Sequence, residues 1–255
     1  MRIAFITCPR VGVSYLQDSV RSALEQGRCT APEEVGVFSD SLQPPEGLPP
    51  GVHVEGRDAE YLKQVPGPEV VDDTAKMDAK HMCSGRNMAR ASRWVAGAGA
   101  FGCVCEDDVV FAKGWDARCL ELGQEGIKHS PAFVMAMIQY YPADSAHFAW
   151  ARKVGPLWLM RWNNPDWYWG SQATLFSAAG ALAVSEQRQG FLARADMGSY
   201  PKLRCNGDWG LKYAVMELGL KLYACDPNLV QHVGDVSTVC ANPKPLRGAT
   251  FYDGG

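Results

Sequence analysis

The first hundred residues alternate between strand-like and helix-like patterns, and this order restricts the fold more than any other feature of the 255-residue chain. Strand-type apolar runs cover residues 3–7, 35–38 and 102–105. Apolar residues at helical spacing cover residues 15–24 and 86–98. Alternating strands and helices are typical of a parallel sheet with helices packed on it. The sequence therefore predicts a single α/β domain with a mostly parallel central sheet flanked by helices.

Polar side chains follow three of these predicted strands. Thr7 and Arg10 follow the first strand, Asp40 the second, and three consecutive acids at 106–108 the third. The carboxyl ends of parallel strands meet at one edge of a sheet, and ligands bind there. We therefore expect these side chains to lie near one another.

The acidic run Glu106-Asp107-Asp108 predicts a metal site. Glu106 and Asp108 project to the same side of an extended chain. Adjacent carboxylates at the end of a buried strand repel one another and lose solvation, so a cation is their natural partner. Mg²⁺ and Mn²⁺ bind one or two carboxylates and complete their coordination with phosphate oxygens. The alternative is a solvated acidic turn.

A second polar segment, residues 226–238, follows what the sequence predicts to be the last strand, residues 220–224. Its His232 lies between apolar residues, and such a histidine is by default a core or turn residue. However, the pattern Pro-x-Leu-x-Gln-His-x-Gly-x-x-Ser beginning at Pro227, the Glu-Asp-Asp run and the early Thr-x-x-Arg together resemble glycosyltransferases of the GT-A fold. The resemblance is closest to the N-acetylglucosaminyltransferase IV type and its bacterial and viral relatives. The acidic run resembles their DxD motif.

The resemblance implies a role for each matching residue. Asp108 and His232 would be ligands of Mn²⁺ or Mg²⁺, Glu106 would lie near the donor ribose, and Asp107 would support the loop. A nucleotide-diphosphate sugar, with a UDP-sugar favoured, would also contact Thr7, Arg10, Asp40, Arg86 and Asn87. For Arg86 the alternative is an exposed helix start.

The acceptor side is expected in the second half of the chain. Asp208 is the candidate general base for a direct, inverting displacement, and the alternative is that it caps a helix over residues 208–218. Half of the eight tryptophans lie in residues 158–169. Trp167 and Trp169 suggest a platform for rings, with core packing as the alternative for such residues, and Gln172 resembles an acceptor-facing position. A helix is expected to begin near Leu175 or Ala178.

The predicted organisation is a nucleotide-sugar-binding half (residues 1–110), an acceptor-binding and catalytic half (111–242) and a loose tail (243–255). The net charge of −3 argues against general attraction to nucleic acid or anionic membranes. Nine cysteines occur without a CxxC pair, so buried reduced thiols are expected in preference to a zinc site. No signal peptide or membrane span is recognised, and the prediction is a soluble cytoplasmic protein.

The leading interpretation is a metal-dependent hexosyltransferase-type glycosyltransferase acting on a glycan or small-molecule hydroxyl. An alternative acceptor is a hydroxymethylated nucleic-acid base, because residues 147–204 hold seven Lys and Arg against three Asp and Glu beside the aromatic run. A non-catalytic nucleotide-sugar-binding module is an alternative of another class. A nucleotidyltransferase or phosphotransferase is disfavoured because no GxxxxGK[ST] loop is present.

Overall fold

The computed structural model describes residues 1–7, 14–39, 44–56, 85, 87–138, 151–160, 172–195, 211, 215, 217–234 and 252, with side chains omitted for 187–195. Six of the predicted site residues lie outside this part of the chain, and so do almost all of residues 243–255. The six are Arg10, Asp40, Arg86, Trp167, Trp169 and Asp208.

The described residues form eleven strands and three long helices, together with a helical segment at residues 87–96 (the 87–96 helix), helical residues 211, 215, 217 and 218, and a 3₁₀ turn, Pro32–Glu34. The strands are β1 (Arg2–Thr7), β2 (Val35–Ser39), β3 (His53–Glu55), β4 (Phe101–Glu106), β5 (Val109–Phe111), β6 (Phe133–Ala136), β7 (Arg152–Val154), β8 (Leu157–Leu159), β9 (Ala173–Ser177), β10 (Lys221–Cys225) and β11 (Val230–His232). The helices are α1 (Leu16–Gln26), α2 (Trp115–His129) and α3 (Ala178–Ala195).

A large sheet of nine strands forms the centre of the fold, in the order β3-β2-β1-β4-β9-β6-β10-β8-β7. The predicted α/β class is confirmed, and β1, β2, β3 and β4 are parallel neighbours as the alternating pattern indicates. The sheet as a whole is mixed, because β9 runs antiparallel between β4 and β6, and β8 runs antiparallel to β10 and β7. Seven of the nine strands therefore run in one direction and two in the other.

Helices cover both faces of the sheet. Side chains alternate along its strands, so apolar residues lie on each face and pack against helices there. On β1, Ile3 and Phe5 point towards α1 and α2, which contribute Val20 and Trp115 to the core on that face. On the opposite face Ala4 and Ile6 belong to a second core with residues of the 87–96 helix and α3. None of the helices in the described ranges is long and apolar enough to cross a membrane.

The helix expected to begin near Leu175 or Ala178 begins at Ala178, and it follows a strand at residues 173–177 that was not predicted. One expectation about the elements was wrong. The strand at Lys221–Cys225 is not the last, because β11 follows it and pairs antiparallel with β5 in a separate two-stranded sheet. That small sheet determines where His232 lies.

Candidate metal centre

Three parallel strands end side by side at one edge of the large sheet. Thr7 at the end of β1 pairs with Ser39 at the end of β2, and Ile6 pairs with Glu106 at the end of β4. The antiparallel strand β9 starts from the same edge, where the Glu106 amide donates to the Gln172 carbonyl oxygen at 2.8 Å. The predicted meeting of strand ends is confirmed for these described positions, and the acidic run follows directly from this edge.

The β5–β11 pair brings a distant part of the chain back to the acidic run. Val109, directly after Asp108, is the partner of His232 in the antiparallel register. The Val233 amide donates to the Asp108 carbonyl oxygen at 2.9 Å, which continues the pairing by one more hydrogen bond. His232 and Asp108 are therefore held together by backbone pairing and not only by their side chains.

Glu106, Asp108 and His232 form one cluster of potential metal ligands. The Nε2 atom of His232 lies 3.1 Å from Oδ2 of Asp108. One ligand atom from each of the three residues lies within 4.8 Å of the other two. Asp108 is 3% exposed, whereas Glu106 and His232 are partly exposed. Asp108 is thus the buried member of the cluster, and Glu106 and His232 are its solvent-accessible members.

These spacings fit a divalent cation. In an octahedral ion with ligands at about 2.1 Å, neighbouring ligand atoms are about 3.0 Å apart and opposite ones about 4.2 Å. The 3.1 Å distance between His232 Nε2 and Asp108 Oδ2 matches the separation of neighbouring ligand atoms. Ligand atoms that lie up to 4.8 Å apart would need only a small inward movement of their side chains. Two carboxylates and one imidazole favour Mn²⁺ over Mg²⁺, because Mg²⁺ prefers oxygen ligands. Three protein ligands leave positions for phosphate oxygens.

One further atom at this cluster has an unmet hydrogen-bonding capacity. Nδ1 of His232 is buried, and it has no hydrogen-bond partner among the residues whose side chains are described. A buried polar atom without a partner is costly, and a structural histidine normally uses both ring nitrogens. Within the described residues, the Nδ1 atom of His232 is therefore not held by a structural hydrogen bond.

Asp107 points away from this cluster and stabilises the loop. Its Oδ2 accepts a short hydrogen bond from the Thr7 hydroxyl, and Asp107 is 5% exposed. Asn87, which is fully buried, donates through Nδ2 to the Thr7 carbonyl oxygen at 3.4 Å and accepts from Arg90 at 3.4 Å. These contacts join β1, β4 and the 87–96 helix. Contact of Thr7 and Asn87 with a nucleotide stays a prediction.

Gln172 lies at the same edge, through its backbone bond to Glu106. Its Oε1 atom is buried and has no hydrogen-bond partner within the described part of the structure. An acceptor atom in this state can receive a hydrogen bond from a hydroxyl that enters the site. Its predicted role on the acceptor side stays a prediction.

Ser19 was not predicted from the sequence as a site residue, and Gly234 appeared there only as part of the Gln-His-x-Gly pattern. Ser19 of α1 is 1% exposed and hydrogen bonds to the backbone on both sides of Asp108. Gly234 lies so close to Asp108 that a Cβ atom would be 2.3 Å from Oδ2. The available signals were a serine on the apolar face of a helix and a glycine two positions after a candidate ligand.

The buried cysteines form no competing centre. Cys103 and Cys105 are buried and reduced, as expected, and burial raises the pKa of the Cys105 thiol. Burial also raises the pKa of Cys225 to about 12. Within the described residues, the cluster of three metal-ligand side chains is the one at Glu106, Asp108 and His232. The thiols are therefore core residues of the sheet and α2.

No protein-family model matches the chain, and no curated protein matches it significantly. The functional conclusion therefore depends on the residues themselves.

Proposed function

We propose that this protein is a metal-dependent glycosyltransferase that transfers a sugar from a nucleotide-diphosphate sugar to an acceptor hydroxyl. The observation that carries the proposal is the convergence of Glu106, Asp108 and His232 at the carboxyl edge of an α/β sheet. The ligand set comes from two segments more than a hundred residues apart. The resemblance of both segments to GT-A transferases supplies the reaction class.

The chemistry follows from the charges at this edge. A nucleoside diphosphate leaves an anomeric carbon only if its developing negative charge is stabilised, and a bound Mn²⁺ or Mg²⁺ supplies that stabilisation. Asp108 and His232 would hold the ion. Glu106, partly exposed at the end of β4, is close enough to be a third ligand, and the resemblance implies a position near the donor ribose. Asp107 and Thr7 hold the loop in place through their mutual hydrogen bond.

Asp208 would remove the proton from the acceptor hydroxyl as that hydroxyl attacks the anomeric carbon. Asp208→Asn should lower turnover by on the order of 10² and leave donor affinity nearly unchanged, since Asn removes the base and keeps a helix-capping side chain. Near-normal turnover would return Asp208 to a capping role. The position lies outside the described residues, so this assignment depends on the sequence alone.

A thermal-shift panel of nucleotide sugars with and without Mn²⁺ tests the donor half of the proposal. A ligand that binds only the folded state stabilises it by about 2.7 kcal/mol at a hundredfold excess over Kd. We expect stabilisation by one nucleotide sugar, with UDP-sugars the first candidates, and only when Mn²⁺ is present. Stabilisation that is independent of the metal would contradict the proposed site.

Donor hydrolysis in the presence of Mn²⁺ separates an enzyme from a binding module. Slow release of nucleoside diphosphate, accelerated by an acceptor, is the result expected of a transferase. Binding without hydrolysis or transfer, over a panel of glycans, small alcohols and hydroxymethylated oligonucleotides, would favour the non-catalytic module.

A further inference from the structure

Both peptide groups that flank Asp108 are bound by the same side chain. The Ser19 hydroxyl donates to the carbonyl oxygen of Asp107 at 2.8 Å and accepts from the amide of Val109 at 3.0 Å. The Asp107 carbonyl belongs to the peptide group before Asp108, and the Val109 amide belongs to the peptide group after it. One oxygen atom on α1 therefore contacts the backbone on each side of the central candidate ligand.

This arrangement restricts the backbone of Asp108. Rotation about its N–Cα bond moves the preceding peptide, and rotation about its Cα–C bond moves the following one. Because both peptides are tied to one buried atom, neither dihedral angle can change without breaking a hydrogen bond. The direction of the Cα–Cβ bond of Asp108 depends on these two angles, so the Ser19 hydroxyl restricts the position from which the carboxylate reaches the metal site.

The position of Ser19 itself is fixed by the core. The residue is 1% exposed and lies among the apolar residues of α1 that face β1, including Leu16, Val20 and Ala23. A serine at such a position gains no solvation, and its hydroxyl needs buried partners. The backbone around Asp108 supplies both partners.

We infer that Ser19 is a positioning residue for the metal site, acting through the backbone of Asp108. The inference rests on the proposed function, because it takes Asp108 as a metal ligand. Residues that orient metal ligands change metal affinity by about 10- to 100-fold when they are removed. Ser19 should therefore affect Mn²⁺ binding itself, and not only the stability of the fold.

The chain offers a matched control on the same helix. Ser22, one turn after Ser19, accepts a hydrogen bond from the Phe111 amide at 2.9 Å. It thus binds the same segment of chain, three residues beyond Asp108. Ser22→Ala removes a comparable contact between α1 and β5 and leaves the peptides around Asp108 untouched.

The test is a titration of the apo proteins with Mn²⁺, followed by the electron paramagnetic resonance signal of the free ion, with a thermal melt of each variant. Ser19→Ala should raise the Kd for Mn²⁺ by about tenfold, whereas Ser22→Ala should change it less than twofold. Ser19→Thr keeps the hydroxyl and should return the Kd towards the wild-type value. The melts show that each variant compared is folded.

Equal Mn²⁺ affinities for Ser19→Ala and Ser22→Ala would overturn the inference and leave the proposed function intact. The inference is also overturned if Ser19→Thr binds as weakly as Ser19→Ala with an unchanged melting temperature. Wild-type protein that binds no Mn²⁺ would overturn the inference and the metal-dependent function together. A Ser19 effect on Mn²⁺ binding in a protein without transferase activity would uphold the inference and reject the function.

Discussion

Two buried aspartates near α1 have different surroundings. Asp116, at the start of α2, accepts hydrogen bonds from the amides of Arg28, Cys29 and Thr30 at 2.6–2.9 Å, from the Thr30 hydroxyl at 2.9 Å and from the Ala117 amide at 2.8 Å. Asp108 has His232 at 3.1 Å and the Glu106 carboxylate within 4.8 Å. The two residues are 1% and 3% exposed.

The comparison separates a structural carboxylate from a candidate ligand. Burial opposes ionisation of Asp116, but the amide and hydroxyl donors outweigh it and lower the pKa of this carboxyl. The protein itself thus supplies the positive partial charge that Asp116 needs. At Asp108 a second carboxylate lies close by, and such a pair gains stability when a cation binds. Equal burial therefore accompanies two different chemical surroundings.

The largest expected effect is the difference in Mn²⁺ affinity between the variants Asp108→Asn and Asp116→Asn. Asp108→Asn should weaken Mn²⁺ binding by at least about 100-fold, above the range for residues that only orient ligands, because an amide carries no charge. Asp116→Asn should leave the Mn²⁺ affinity unchanged. Titration of both variants with Mn²⁺ measures the difference. Equal affinities would place Asp108 in the same structural class as Asp116.

The next effect concerns His232. His232→Ala should raise the Mn²⁺ requirement of nucleotide binding by about 10- to 100-fold, since one ligand of the ion is lost. The apo protein should unfold at nearly the same urea concentration, because His232 is partly exposed. His129→Ala is the control, as His129 is an exposed histidine on α2 beside Glu125. Lower stability with an unchanged metal requirement would mark His232 as a core residue paired with Asp108.

A third prediction concerns stability and its pH dependence at Asp116. Asp116→Asn should lower the free energy of unfolding by about 1.5–3 kcal/mol at pH 7, the range for hydrogen bonds to a charged group. The folded pKa of Asp116 is lowered, so its contribution is complete above the unfolded value near 3.9 and is lost as pH falls towards the folded value.

Urea unfolding of wild type and Asp116→Asn between pH 7 and pH 2.5 measures this contribution. The two stabilities should converge at the acidic end of the range. A difference that stays constant with pH would show that packing, and not the charge of Asp116, stabilises this junction. Asp108→Asn offers the contrasting case, since removing one of two adjacent carboxylates should not destabilise the metal-free protein.

The parallel half of the sheet is predictable from the sequence. The prediction fails for elements whose apolar residues show no clear strand or helix spacing. The alternation up to β4 is regular, and the strand ends meet as predicted. The sequence analysis assigns no element to the residues of α2, whose Gly123 and Gly126 lower helix propensity. In the structure these glycines let the helix approach Phe101 and Phe133, since a Cβ atom would lie 2.9 Å and 3.0 Å from their rings.

The members of the candidate cluster were predictable from the sequence, and the residues that hold their backbone were not. Asp108 and His232 were recognised from their segments, and the pairing of β5 with β11 brings them together. Those strands have three residues each, which is too short for an alternating pattern to be recognised. Ser19 was missed because a serine on the apolar face of a helix does not show which groups its hydroxyl binds.

The smallest effect is expected at Gly234, which lies against the side chain of Asp108. A Cβ atom at this position would lie 2.3 Å from Oδ2 and 2.9 Å from Cγ of Asp108. In Gly234→Ala the carboxylate must therefore rotate away from its present direction. Forcing a side chain about 30° off its rotamer costs about 0.5–1.5 kcal/mol, which corresponds to roughly two- to twelvefold weaker Mn²⁺ binding.

Gly97→Ala is the matched control for this substitution, because the nearest atom to its Cβ would be 3.6 Å away. Gly97→Ala should bind Mn²⁺ like wild type. If Gly234→Ala also binds like wild type while remaining folded, the direction of the Asp108 carboxylate does not limit metal affinity. That outcome would remove the reason for a glycine at position 234. It would also weaken the distinction between Asp108, proposed to bind a metal, and Asp116, which is held by the protein alone.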